Sequence, residues 1–103
     1  MRLVGDRRAW QTPRMVIGKA DRRRSRSPRA TDVFGSRATA ALDALALLDL
    51  AWHDCYGELC PPEQVIEDIW VVANGDLAQF ISAAHLAVID FRDLRMSANE
   101  MRG

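Results

Sequence analysis

The sequence predicts an all-α fold: a small three-helix domain, one helix plus a helical hairpin, preceded by a disordered Arg-rich segment. Three observations predict it. Apolar residues recur at helical spacing from residue 38 onward. Gly57, Pro61-Pro62 and Asn74-Gly75 punctuate that stretch at intervals that suit helices. The formal net charge of zero conceals two unlike parts, because residues 1–37 hold 11 basic and 3 acidic residues while residues 38–103 hold 3 basic and 11 acidic. A basic segment of +8 therefore stands beside an acidic domain of −8. At 103 residues the chain has room for one domain, which excludes a large α/β enzyme, a long solenoid or a multi-domain machine.

The first predicted helix runs from Ala38 to Tyr56. Ala41, Ala44, Leu45, Leu48, Trp52 and Cys55 follow i, i+3, i+4, i+7 spacing, with Asp43, Asp49, His53 and Asp54 on the opposite side. Ser36 or Thr39 suits its N-cap, and Gly57 its left-handed C-terminal stop. Pro61-Pro62 restarts the chain, since proline is tolerated where its missing N–H would be unpaired anyway. Glu63, Glu67 and Asp68 near that start interact favourably with the helix dipole. Val65, Ile66, Ile69, Trp70, Val72 and Ala73 form the apolar arc of this second helix. Its β-branched residues bring strand into competition, but the proline start and the 3.6-residue period favour helix.

Asp76 opens the third helix, with Gln79 in the capping-box position. Leu77, Phe80, Ile81, Ala84, Ala87, Val88, Phe91 and Leu94 give it the cleanest period in the chain. The Asn74-Gly75 connection is so short that the second and third helices must form an antiparallel hairpin. The domain so defined spans residues 36–96, and residues 97–103 are expected to fray.

Residues 1–35 show no sustained period, and Gly5, Pro13, Gly18, Pro28 and Gly35 interrupt them often. They read as a disordered basic segment too poor in apolar residues to offset chain entropy. Its arginines Arg22, Arg23, Arg24, Arg26 and Arg29 are candidate phosphate contacts for nonspecific nucleic-acid binding. Two other readings compete: the segment folds back electrostatically on the acidic helices, or translation begins later, near Val33. An Arg- and Ser-rich leader also matches an organellar transit peptide in composition. No secretory signal or membrane span is recognisable, and two cysteines without an export signal suggest a reducing, cytoplasmic setting.

Four residues suggest metal or thiol chemistry: His53, Cys55, Cys60 and His85. Zinc takes such ligands in a tetrahedron, but His53 and Cys55 point about 200° apart on a helix. Cys55 lies on the apolar stripe, where a buried cysteine acts as a small hydrophobe. Cys60 sits between Glu58 and Glu63, whose charge disfavours a thiolate. Asp49 with His53, and Asp90 with Asp93, have the spacing of helical polar pairs and lack a nucleophile to serve. The expectation is no catalytic residue, no metal and no cofactor. A core of about 60 residues has little margin, yet Leu47, Leu50, Leu86 and Ile89 fall outside the core stripes. They are the candidate partner-binding face of a small non-enzymatic interaction or regulatory module. Another protein or a second copy of the chain would be its partner. Its acidic surface resembles, in layout only, inhibitor and immunity proteins that cover basic partners.

Overall fold

The structure is a computed structural model that describes residues 3–103, with side chains from residue 19 onward. All regular structure among the described residues is helical: α1 (Leu3–Phe34), a 3-10 turn (Gly35–Arg37), α2 (Ala38–Tyr56), α3 (Glu63–Ala73) and α4 (Leu77–Arg102). The all-α class and the three helices after residue 37 stand as the sequence predicts.

The Arg-rich stretch departs from expectation. Residues 19–34 are helical and packed, so disorder does not describe them; the rest of that expectation lies in residues 1–18, outside the described side chains. Arg22, Arg26, Ala30 and Phe34 recur every four residues along α1, and all four are buried or half-buried. Only the last two are apolar. Ala30 and Phe34 enter the core, while the two arginines meet a carboxylate of α2. Of the competing readings, folding back on the acidic helices is the one this geometry matches. An initiation near Val33 would remove Arg22, Arg26 and Ala30 from the folded unit. Gly35, at φ 57, takes the left-handed conformation that lets the chain reverse into α2.

Pro28 lies inside α1. It cannot donate to the Arg24 carbonyl, and its ring crowds that carbonyl. The exposed substitution Pro28→Ala is therefore expected to stabilise the protein by about 1–3 kcal/mol. Urea unfolding reads this as a higher midpoint at an unchanged slope. A lower midpoint would mean that the arginine stretch is not helical.

Capping follows the expected pattern in part. Gly57 ends α2 at φ 75 and donates its N–H to the His53 carbonyl at 2.8 Å. Asp76 caps α4, its side chain accepting from the Gln79 N–H at 2.9 Å. Pro62 holds the N-cap of α3, and its carbonyl accepts from Val65 at 2.9 Å. Neither Ser36 nor Thr39 caps α2; Arg37 takes that position without a side-chain bond, because the 3-10 turn feeds directly into the helix.

The core joins all four helices through Ala30, Leu45, Leu48, Ile69, Phe80 and Leu94, among others. Phe34 of α1, Trp70 of α3 and Phe80 of α4 form one aromatic cluster, with ring centroids 4.7–5.9 Å apart. Trp52, Tyr56 and Phe91 form a second, where the end of α2 meets α4. The Trp52 indole also donates to Glu58 at 2.9 Å and so ties down the loop after α2.

Helix α4 is broken at Asp90, whose φ −159 and ψ 91 are not helical. The Asp90 carboxylate accepts from the N–H groups of Arg92 at 3.0 Å and Asp93 at 3.2 Å, so it caps a second helical half. That half does not fray. Leu94 and Ala98 are fully buried, and Arg95 and Arg102 both reach Asp68 of α3. The expected fraying of residues 97–103 is thereby corrected: two charges seven residues apart fasten this segment across α3. Asp68, read from sequence as a dipole partner, is instead a buried carboxylate with 1% exposure.

Candidate interaction surface

An open groove of about 230 Å³ runs between α2 and α4. Ala44 and Ala84 are small residues in its lining, while Leu47, Ile81 and Val88 give it apolar relief. His85 is the one ionisable side chain along it. Leu47 is 67% exposed, and Ile81, expected in the core, is 46% exposed. Leucine and isoleucine in such positions lose the hydrophobic free energy that burial would return.

The four sequence candidates for this face separate. Leu47 lines the groove. Leu50 and Ile89 are exposed large apolar residues that do not line it. Leu86 is corrected: it is half-buried and packs against the core, because the wide α4 stripe faces α3 as well as α2. Along α2, Asp54 lies two turns from Leu47 on nearly the same line and is exposed. The groove is thus apolar along its length.

The arginine candidates lie elsewhere, on α1, and each meets a carboxylate of this chain. Arg22 Nε donates to Asp49 Oδ2 at 3.1 Å, and Arg26 grips both Asp49 oxygens at 2.9 and 3.1 Å. Arg23 pairs with Asp43, Arg24 with Asp21 and Arg29 with Glu67. The Arg29 guanidinium also lies 4.6 Å from the centre of the Trp70 ring. Nucleic-acid binding would draw on these same guanidiniums, of which Arg22 and Arg26 are half-buried against Asp49 while Arg23, Arg24 and Arg29 make exposed pairs.

Asp49, assigned from sequence to the exposed side of its helix, is 5% exposed. Its spacing carried the signal: it lies four residues after Leu45 and three before Trp52, in phase with the buried stripe. His53 and His85 are exposed, and Cys60 is half-buried. Cys55 is exposed as well, which corrects its expected place in the core: the last turn of α2 meets α4 through Trp52 and Tyr56, which pack against Phe91, and leaves Cys55 in solvent. Among the described residues no three His, Cys, Asp or Glu side chains converge as a metal site would require. No described helix is long and apolar enough to cross a membrane. Comparison with known proteins adds no relative: no family model, no curated protein and no solved structure matches the chain.

Proposed function

We propose that this protein is a small non-enzymatic interaction module that docks an amphipathic helix of another protein in the α2–α4 groove. The groove itself carries the reading. Two helices form its walls, small side chains leave room between them, and Leu47 and Ile81 stand exposed at its edges. This is the relief that the apolar stripe of a third helix fills. Exposed Asp54, two turns along α2 from Leu47, favours a stripe flanked by Lys or Arg, with complementary charge accelerating encounter. Leu50 and Ile89 extend the contact beyond the groove. Free thiols at Cys55 and Cys60 suit a reducing, cytoplasmic setting.

Cross-linking mass spectrometry tests the reading in a native extract, using the full chain and its Leu47→Glu/Ile81→Glu variant. Both positions are exposed, so circular dichroism should show the variant folded. The expected result is a partner whose cross-links map to α2 and α4, through a Lys- or Arg-flanked helix, and vanish in the variant. Identical cross-linked products from both chains would sink the proposal. So would a dimer in light scattering that Leu47→Glu disperses, since the groove would then hold a second copy.

A further inference from the structure

A second cavity, of about 240 Å³, opens between α1 and α2, with Asp49, held by Arg26, in its lining. Leu42 and Ala46 of α2 give it an apolar floor, while Lys19, Arg23 and Arg26 stand on the α1 wall. Its charges do not balance. Arg22 and Arg26 both pair with the single carboxylate of Asp49, which leaves one positive charge over on two half-buried arginines beside the cavity. Arg23 is balanced by Asp43, and Lys19 adds a second surplus charge beside the opening. The preceding chain offers little compensation, since Asp6 is the only acidic residue in residues 1–18.

We infer that the α1–α2 cavity is a binding site for a small organic carboxylate with a short apolar body. The apolar floor takes the body, and the carboxylate meets Lys19 and Arg23 at the rim. Arg23 is free to exchange partners, because its pair with Asp43 is exposed on both sides and such pairs are weakly held. An incoming carboxylate replaces Asp43 on that guanidinium and adds the ammonium of Lys19, in the charge-assisted geometry that arginine already makes with Asp49. The volume equals that of about eight water molecules. That suits a chain of six to ten non-hydrogen atoms whose end reaches the open mouth. A ligand with charge and no body leaves the floor wet, and one with a body and a positive charge meets repulsion.

Titration of the full chain with octanoate, followed by amide chemical shifts, tests the site. Octylammonium and inorganic phosphate serve as controls of charge and of body. The expected result is saturable shifts at residues 19–26 and 42–49 with octanoate alone. Lys19→Gln/Arg23→Gln should weaken that binding by roughly tenfold or more, while Leu47→Glu in the other groove leaves it unchanged. Both rim residues are exposed, so unchanged dispersion of the remaining resonances shows that the double variant is folded. Three outcomes overturn the inference: no saturable shift, equal binding of octylammonium, or octanoate shifts centred on Leu47 and Ile81. Failure here leaves the α2–α4 docking proposal intact, because the two sites share no lining residue.

Discussion

Removing both Arg22 and Arg26 is expected to destabilise the protein by about 3–5 kcal/mol, the typical cost of leaving a buried carboxylate without its partners. Asp49 is 5% exposed and accepts all three of its side-chain hydrogen bonds from these two arginines. A domain of this size holds only about 5–15 kcal/mol in total, so the double variant would lose a large share of its stability. The two single substitutions should be unequal and non-additive. Arg26→Ala removes a bidentate grip and costs more than Arg22→Ala, which removes one bond, and each leaves the other arginine in place. Urea unfolding followed by circular dichroism measures all three variants. Adding Asp49→Leu to the double variant should recover much of the loss, because the uncompensated charge disappears and an apolar residue takes its place between Leu45 and Trp52. No recovery would mean that α1 is held by something other than this carboxylate.

The same pair explains which parts of the fold were legible. Helices α2, α3 and α4 announce themselves because their buried faces are apolar at a period of 3.6, and their stops are Gly57, Pro61-Pro62 and Asn74-Gly75. Helix α1 buries a face too, but half of its stripe is arginine. A search for apolar recurrence finds Ala30 and Phe34 and nothing before them. The matching half of the signal sat twenty-odd residues away, in an aspartate placed among leucines. Asp68 repeats the lesson: it lies three residues after Val65 and four before Val72, in phase with the core of α3. Of its partners on α4, Arg95 stood at the end of the expected domain and Arg102 in a segment that reads as a fraying end. Buried ion pairs split their evidence between two places in the chain, and each half alone looks like ordinary surface. The docking face was legible in kind rather than in membership. Leu47, Leu50 and Ile89 are exposed as expected, whereas Leu86 and Ile81 exchange roles because α4 packs against α3 as well as α2, which turns its buried stripe toward Leu86 and away from Ile81.

Loss of both Arg95 and Arg102 should detach the second half of α4. Asp68 is 1% exposed and holds Arg95 at 2.7 Å and Arg102 at 2.9 Å, with Gln64 more distant at 3.4 Å. Both arginine side chains remain over a third exposed, so solvent already screens part of the attraction. The expected cost for Arg95→Ala/Arg102→Ala is accordingly about 2–3 kcal/mol, below that at Asp49. Hydrogen exchange locates the effect: amides of residues 91–102 should lose protection while those of residues 77–89 keep theirs, since Asp90 separates the two halves as independent helical units. Equal loss in both halves would show that α4 opens as a single unit and that the break at Asp90 has no mechanical consequence. Replacing the triad as a whole, with Asp68→Leu, Arg95→Met and Arg102→Met, is expected to be neutral or stabilising, because no charge then has to leave water. If that triple variant keeps its exchange pattern, apolar packing of Leu94 and Ala98 alone sets where the second half of α4 lies. If residues 91–102 become exchange-labile while overall stability is retained, the buried aspartate fixes the position of that helix, and its cost in stability is a cost of specificity.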